Sequence, residues 1–445
     1  MSAIIKFLKT QGTTINRTYY EKIEFWKAWY RGRVNSFHKY CVFNGTKNIE
    51  RERYSLGMPK KAAEDWANLL LNERVTISTD KEKFNDTLEA ILERNKFLSR
   101  GNQLLEKAFA LGTGALVEWL DENEEVVIDY ITADMIYPLS SDNGEIVDCA
   151  FASERIANGK TRYYIQVHKR NEDKAAYTVA NFIIDDKGEP VSLPENVLEV
   201  IDVPRKMFQI IKPNIVNNED MSQPLGISIF ANALDANKVV DVAFDSLAND
   251  FVIGRGRVLV PAKYATIQQV ADGSKRPVFD PSDTFFYIYE GQTEGSKIEF
   301  VQPKIRTDDH VKALDNALAR FADKCGLGAD RYKYEDSGAQ TATGIISEKS
   351  ELYQNVRKHE LLLRDALVEM VRAIAALEEV QVAEVNIDFD DSIIEDQAAR
   401  KAQFLSEINT GVRAPWEYRV AFMGETDEVA KKTISEISGN GGVTE

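Results

Sequence analysis

Residues 227–254 read ISIFANALDANKVVDVAFDSLANDFVIG, and residues 306–326 read RTDDHVKALDNALARFADKCG. Apolar residues recur in both stretches mostly at three- and four-residue steps, which places their side chains along one face of a helix. Asp308 and Asp309 open the second stretch and Lys324 lies near its end, so the charges complement a helix dipole. The sequence therefore predicts two helices, each with a narrow apolar stripe.

Residues 255–305 lie between these helices and contain strand-like runs and turn signals instead. We expect strands near Arg257 to Val260, Phe285 to Tyr289 and Ile298 to Val301, after Gly254 has ended the first helix. Two helices that flank a small β module suit packing against further copies better than they suit a closed enzyme core. The pattern predicts a component of an assembly. The residues expected to pack in the two helices are Phe230, Leu234, Phe244, Leu247, Phe251, Val311, Leu314, Leu318 and Phe321.

Residues 17–40 mix aromatic and basic side chains at helical spacing. A helix that reads nucleic acid is one interpretation. We favour a packed amphipathic helix, because Tyr19, Ile23, Trp26 and Tyr30 follow four- and three-residue steps, as a buried face does.

The segment up to residue 203 is predicted to add helices and then an antiparallel sheet. One helix follows Pro59, which suits a first helical turn, and another covers residues 82–112. From Ala115 to Val203, short runs alternate apolar with polar residues and are separated by turn signals, which is typical of antiparallel strands.

The end of the chain is predicted to contain a loop, a long helix and a short closing region. Residues 326–344 are polar and rich in glycine, which is typical of a surface loop. A strand at QVAEVNIDF, residues 381–389, and two further helices come after the long helix. The apolar stripe of the long helix consists of Leu352, Val356, Leu363, Leu367, Met370, Ile374 and Leu377.

Composition limits the function classes. The chain has 445 residues, 44% of them hydrophobic, which is ample for buried cores. Its formal net charge of −16 argues against a protein that grips nucleic acid by neutralising phosphates. Cys41, Cys149 and Cys325 lie far apart, so neither a disulfide framework nor a cysteine zinc site is expected, and a reducing cytoplasm fits best. No stretch approaches the ~20 apolar residues of a membrane span.

Catalytic and cofactor motifs are weak. Asp388, Asp390 and Asp391 offer hard oxygen ligands, but the spacing of a full calcium loop is missing, so a solvated acidic turn is favoured. The four histidines, at positions 38, 168, 310 and 359, form no metal-binding pair. Gly112 and Gly114 are better explained by a helix-to-strand turn than by a nucleotide loop. We expect no enzyme activity, no metal and no cofactor.

The order of elements resembles that of tailed-phage portal proteins, the head-tail connectors, especially those of phages that infect Gram-positive bacteria. The resemblance covers nearly the whole chain. Locally it rests on YSLGMPK at 54–60, ANLLLNE at 67–73, Pro224-Leu225-Gly226 before the first paired helix, and Thr341-Ala342-Thr343 before the long helix.

The resemblance implies an α+β fold, mainly helical, that assembles as a ring, usually of twelve subunits. It also implies a division of the chain. The regions are a wing at 1–226, stem helices at 227–254 and 306–326, a clip at 255–305, a tunnel loop at 327–343, a long channel helix at 344–378, and a closing wing strand with a short crown at 379–445.

The implied function is a conduit at the capsid vertex of the virion, through which double-stranded DNA is packaged and ejected. The implied partners are other copies, major capsid and scaffolding protein in the host cytoplasm during assembly, large terminase, and then the head-tail adaptor, with no membrane. The candidates for DNA contact in the tunnel loop are Arg331, Tyr332, Lys333 and Tyr334, for which an ordinary solvated loop is the other interpretation. The candidates for clip docking are Phe285, Phe286, Tyr287 and Tyr289.

Two other functions stay open at this point. One is a minor structural or scaffold-interacting capsid protein that has no DNA channel. The other is a metal-dependent nuclease or hydrolase that uses the carboxylates of Asp388 and Asp390.

Overall fold

A computed structural model describes most of the chain. The residues described are 2–13, 15–43, 47–157, 159–171, 176–193, 198–264, 266–269, 275–278, 286–289, 297–334, 342–389, 404–423 and 425–440.

Helices and strands occupy separate parts of the fold, which places the chain in the α+β class. The main helices are α1 Ser2–Thr10, α2 Arg17–Tyr30, α3 Asn35–His38, α4 Met58–Leu70, α5 Glu82–Arg94, α6 Phe97–Leu111, α7 Leu234–Ile253, α8 Thr307–Lys324, α9 Ala342–Leu377, α10 Pro415–Met423 and α11 Asp427–Asn440. The strands are β1 Lys39–Phe43, β2 Asn48–Glu52, β3 Thr76–Thr79, β4 Gly114–Leu120, β5 Val126–Thr132, β6 Ile136–Asp142, β7 Glu145–Ala157, β8 Lys160–Arg170, β9 Tyr177–Asp185, β10 Pro190–Val191, β11 Val200–Val203, β12 Phe208–Ile211, β13 Arg257–Pro261, β14 Thr266–Gln269, β15 Lys275–Val278, β16 Phe286–Tyr289, β17 Glu299–Val301 and β18 Val385–Asp388. Within the ranges given above, no helix combines the length and apolarity needed to span a bilayer.

Helix α2 is a packed core helix, as its spacing predicts, but it ends at Tyr30. The rest of the stretch to residue 40, which was predicted to be helical as well, forms α3 and the start of β1. Tyr19, Ile23 and Trp26 are buried, and Trp29 is buried beside them. The Tyr20 hydroxyl donates to the carbonyl of Ile136, so the polar atom of this buried aromatic residue has a hydrogen-bond partner inside the protein.

The prediction of one helix over residues 82–112 is wrong, because the chain forms α5 and α6 with a break between them. Lys96 adopts a left-handed conformation with φ of 52°, which ends α5. Asn95 is buried, and its side chain donates to the carbonyls of Ile91 and Val126 while accepting from the backbone N–H of Ile128. The break ties the helices to β5 through this one amide.

Two antiparallel sheets follow α6. One has the order β10-β9-β8-β7-β6, with β11 also paired to β9, and the other has the order β12-β4-β5. The predicted antiparallel module between Ala115 and Val203 is therefore confirmed in its strands. Helix α9 packs on β4 and β12 with the predicted stripe, since Val356, Leu363 and Leu367 are almost fully buried.

The segment between α7 and α8 is rich in strands, as predicted. Strand β13 pairs parallel with β16 and antiparallel with β17, and β14 pairs with β15. Helix α7 begins at Leu234, after a 3-10 turn at Ala231–Ala233, and not at residue 227 as the sequence suggested.

The late start of α7 has a physical cause. The backbone N–H of Gly226 donates to the Thr113 hydroxyl, and that of Ile229 donates to the carbonyl of Phe109. These two bonds hold residues 226–229 against the turn between α6 and β4. The backbone of residues 226–229 therefore does not form the first turn of α7, which starts later.

Candidate functional site

Helices α7 and α8 form an antiparallel hairpin whose outer end is held by Asp250. The Arg306 guanidinium donates to both Asp250 oxygens, from Nη2 at 3.0 Å and Nε at 3.1 Å. Nε2 of His310 lies 2.8 Å from the same carboxylate. The hydrogen bonds from Arg306 and then His310 lower the pKa of Asp250 to about 2. The carboxylate stays charged at neutral pH and joins the end of α7 to the start of α8.

The base of the hairpin is held by two carboxylates one turn apart on α7. Asp241 is fully buried and accepts from the backbone N–H of Leu56 at 2.8 Å and from the Ser55 hydroxyl at 3.2 Å. Asp245 accepts from the backbone N–H of Tyr54. The segment 54–56, one of the stretches that carried the family resemblance, therefore fixes α7 to the body of the protein.

His38 completes this cluster. Its Nδ1 lies 2.9 Å from the backbone N–H of Val34, and its Nε2 lies 3.2 Å from Asp241 Oδ2. Nδ1 also lies 3.2 Å from the Val34 carbonyl oxygen. The shorter contact, with the Val34 N–H, favours the tautomer in which Nδ1 accepts and Nε2–H donates to Asp241. Burial raises the pKa of Asp241, while the bonds from Leu56 and His38 oppose that rise.

The predicted stem residues fall into two groups. Phe230 and Leu234 are buried at the base, where the chain enters α7, and Phe230 precedes the helix. Leu314, Leu318 and Phe321 of α8 are also buried. Phe244, Leu247 and Val311 are half-buried, whereas Phe251 near the outer end is 51% exposed.

A glycine turn fixes the start of the loop that follows α8. Gly326 has φ of 75°, its N–H donates to the carbonyl of Asp323, and the N–H of Leu327 donates to that of Ala322. These two bonds form a Schellman motif, which ends a helix. Nε1 of Trp66 donates to the Cys325 carbonyl at 2.9 Å, so the turn is attached to α4.

The loop candidates are held within their own subunit. Asp65 of α4 accepts from Lys61 at 2.6 Å and from the Tyr332 hydroxyl at 2.8 Å, and Nε of Arg331 lies 3.5 Å away. Burial opposes ionisation of Asp65, but Lys61, Tyr332 and Arg331 together outweigh burial and lower its pKa. The carboxylate anchors the loop to α4.

The next two loop residues have different environments. Lys333 pairs with Asp330 inside the loop. The backbone N–H of Tyr334 donates to Asp315 of α8, while the Tyr334 ring is 69% exposed. Residues 335–341 of the predicted tunnel loop lie outside the described residues.

The clip candidates are exposed where they can be described. Tyr287 is 49% exposed, with the Arg257 guanidinium 5.4 Å from its ring centre. Tyr289 is 36% exposed, and its hydroxyl donates to the Lys297 carbonyl at 3.3 Å. Phe285, and the side chain of Phe286, lie outside the described residues.

Polar residues considered for chemistry do not form a catalytic or metal-binding cluster in the described part of the chain. No group of three His, Cys, Asp or Glu side chains there could hold a metal ion. Asp388 lies in β18, and Asp390 and Asp391 are outside the described residues. His168 and His359 are buried, and burial lowers the pKa of each to about 3.

Sequence reasoning missed the three anchoring carboxylates, Asp65, Asp241 and Asp250. A signal existed for Asp241, because it falls on the buried side of α7 with Asn237 and Asp245 one turn to either side. Asp65 had a weaker signal, since it lies between the core residues of α4.

The hairpin with the strands β13 to β17 between its helices, the anchored loop and the long helix follow one another in the order that the sequence predicted. The chain belongs to the family described as Phage portal protein, SPP1 Gp6-like, which it matches over residues 13–432. The resemblance predicted from the sequence is confirmed.

Among the solved structures, a chain of "Neck of native GTA particle computed with C12 symmetry" matches with 13% identity and a TM-score of 0.43, covering 82% of this chain and 89% of that chain. No curated protein matches significantly.

Proposed function

We propose that copies of this chain form a ring, twelve in number, around a channel for double-stranded DNA at the capsid vertex of a phage or phage-like particle. In this ring α7 and α8 are the stem, residues 255–305 the clip, residues 327–343 the tunnel loop, and the start of α9 the channel wall. Residues 1–226 are the wing and the C-terminal helices a short crown.

The observation that carries this proposal is the set of apolar side chains that α7 exposes to solvent on more than one face. The helix is fixed at its base by Asp241 and yet carries apolar side chains to solvent along its length. These are Val239, Val242, Phe251 and Val252, each more than 40% exposed. Exposed apolar side chains on a rigid helix favour burial against a neighbouring copy.

The charge distribution supports passage of DNA without tight binding. Each phosphate that a protein neutralises adds salt-dependent affinity, which would hold DNA in place. The chain carries a net charge of −16, and the loop cations Arg331 and Lys333 are paired with carboxylates of their own subunit. Their attraction for phosphate is correspondingly reduced.

The tip supplies a surface for partners. Tyr287 and Tyr289 are exposed aromatic residues on β16, and aromatic residues are enriched in protein interfaces. We assign to this tip the docking of large terminase during packaging and of the head-tail adaptor afterwards.

The test is the mass and symmetry of the purified chain, measured by native mass spectrometry with class averages from negative-stain electron microscopy. The proposal expects rings of about a dozen copies with a central hole wide enough for duplex DNA. A monomer that assembles into capsids without a pore would support the minor structural capsid protein instead. Metal-dependent cleavage of DNA that Asp388→Asn abolishes would support the nuclease.

A further inference from the structure

A cavity of about 620 Å³ lies between the sheet that contains β4 and the sheet that contains β9. None of the residues that line it belongs to α7, α8 or the loop after α8. Its volume falls in the range typical of ligand pockets. Its walls are mainly apolar and come from β4, β7, β8, β9, β11, the residue before β12 and the end of α9. They include Trp119, Val179, Ile201, Val203, Met207 and Leu377.

Two polar side chains that face this cavity are poorly satisfied, and each is only 1% exposed. Neither ring nitrogen of His168 has a hydrogen-bond partner among the described residues. The carboxyl group of Glu118 interacts with the Gln209 side chain and with its own backbone N–H, but neither contact has the geometry of a full hydrogen bond. Burial raises the pKa of Glu118 to about 8 and lowers that of His168 to about 3, so both are neutral at pH 7. A buried polar group that lacks a full hydrogen bond destabilises the fold, so a polar atom that enters the cavity and bonds to either group would be favoured.

The mouth of the cavity is bordered by β11, which pairs with β9 on one side and with no other described strand. The N–H of Asn181 on β9 donates to the Glu199 carbonyl. Because inward and outward hydrogen-bonding groups alternate along an antiparallel strand, the N–H and C=O of Val200 and Asp202 point away from β9. Within the part of the chain that the structure describes, no strand pairs with these groups, so the edge is available to another strand.

Apolar and acidic side chains surround this edge. Leu198 is 66% exposed and Ile201 is 37% exposed, and both also line the cavity. Asp121 lines the mouth, and Glu199 and Asp202 are exposed on or beside β11.

Side chains alternate between the two faces of a strand, so Glu199 shares the cavity face with Ile201, whereas Asp202 lies on the opposite face and accepts from the Thr178 hydroxyl. Arg155 of β7 also lines the cavity. A strand that binds here gains from apolar side chains toward the cavity and from basic side chains toward Asp202 on the opposite face.

We propose that β11 and the cavity form a docking site for an extended, basic segment of a partner protein, which adds a strand beside β11 and inserts one long side chain with a neutral polar end into the cavity. Main-chain bonds to the edge supply affinity, and the cavity supplies specificity. This site does not depend on the proposed DNA channel.

A defined peptide tests the proposal on the full-length protein. The probe is fluorescein-labelled Lys-Leu-Lys-Gln-Lys-Leu-Lys, in which the two leucines and the glutamine share one face of a strand. Binding is measured by fluorescence anisotropy in parallel on the monomeric chain and on any assembled ring. We expect saturable binding to both forms.

Two matched comparisons separate strand addition from simple charge attraction. Methylating the backbone nitrogens at odd positions of the probe, and separately those at even positions, blocks the two edges of the added strand in turn. One set is expected to weaken binding at least tenfold and the other less than threefold. On the protein, Val200→Pro removes one outward N–H and is expected to weaken binding tenfold, whereas Val200→Ala retains it.

The cavity has its own comparison. Glu118→Gln keeps a neutral group that both donates and accepts, so it should bind the probe as the wild type does, while Glu118→Leu should bind it at least fivefold more weakly. Equal loss from both methylated sets, or equal binding by both Glu118 variants, would overturn the proposal. Binding to the monomer but not to the ring would also overturn it, because β11 would then be a contact between copies.

Discussion

The backbones of Gly112 and Gly226 are in direct contact, which leaves no room for a side chain on either residue. A Cβ on Gly112 would come 2.3 Å from the Gly226 carbonyl oxygen, and a Cβ on Gly226 would come 2.4 Å from the Gly112 carbonyl oxygen. The Thr113 hydroxyl accepts from the N–H of Gly226 at the same place. The turn after α6 therefore fixes the point from which α7 leaves the body.

Replacing Gly112 with alanine should destabilise the protein by roughly 3 kcal/mol or more, since it adds a clash to a left-handed conformation with φ of 91°. Gly144→Ala is the matched control, because Gly144 has φ of 81° but open space around its Cβ, and it should cost only about 1 kcal/mol. Urea unfolding of both variants gives the comparison. Equal losses would show that the close approach to Gly226 costs nothing.

The hairpin should open in acid. Asp250 has a folded pKa of about 2 against an ordinary value of 3.8, so the stability it contributes is complete above about pH 4 and is lost as the pH falls through 2. Pepsin, which is active in acid, should cut residues 255–305 faster at pH 2 than at pH 4. Asp250→Asn should be cut fast already at pH 4, whereas Asp308→Asn, at an exposed position, should behave as the wild type. If pepsin cuts Asp250→Asn at pH 4 no faster than it cuts the wild type, Asp250 does not hold the end of the hairpin closed.

Glu118 should make stability fall with rising pH. Its folded pKa of about 8 lies above the ordinary 4.5, so the folded state binds an extra proton between these values and loses stability as the pH rises through that window. Each pKa unit corresponds to about 1.4 kcal/mol, so Glu118→Gln should exceed the wild type by several kcal/mol at pH 9 and match it at pH 4.5. Urea unfolding across this range measures the effect, with the exposed Glu89→Gln as control. If the free energy of unfolding changes with pH in the same way in Glu118→Gln and in the wild type, Glu118 does not have a raised pKa in the folded state.

The exposed apolar side chains of α7 should be needed for assembly of the ring and not for folding of the subunit. Val242 is 42% exposed, so Val242→Asp should leave the unfolding midpoint nearly unchanged while shifting the population from rings to monomers. Thr87→Asp adds the same charge at an exposed position of α5 and should assemble normally. Native mass spectrometry measures the fraction of each variant that is present as rings and as monomers. If Val242→Asp forms rings at the wild-type yield, the contact between subunits does not involve this part of α7.

The sequence allowed the helices and strands to be predicted where a single periodicity runs unbroken. The stripe of α9 and the alternation in β5 and β9 are such cases, because burial on one face imposes the pattern. Strand β4 departs from alternation, since its first five residues are all buried. The break at Asn95 could not be predicted, since it depends on hydrogen bonds to β5, a strand remote in sequence. The start of α7 was misplaced for the same reason, because its cause is the long-range contact with Phe109.

The candidate site was predictable only in part. Glycine and polar residues in 326–344 correctly indicated a loop after α8, and Gly326 and Gly328 both have positive φ. Composition alone does not tell that Arg331 and Tyr332 are bound to Asp65, which lies on a helix far away in the sequence. A pattern of residue types reports local conformation, whereas the partner of a charge is set by tertiary packing.

The tunnel loop should influence DNA without being needed for the ring. Replacing Arg331 and Lys333 together with alanine removes two loop cations and the contact between Arg331 and Asp65. The bond from the Tyr332 hydroxyl to Asp65 and the Schellman turn keep the base of the loop in place. Because the ring contacts proposed above lie on α7, ring mass should stay unchanged, and packaged DNA per particle should fall severalfold. Lys9→Ala with Lys83→Ala removes the same charge from exposed positions on α1 and α5 and should package normally. Particles of the loop variant that hold as much DNA as the wild type would contradict a channel role for these residues, and a similar loss in both variants would assign the effect to net charge.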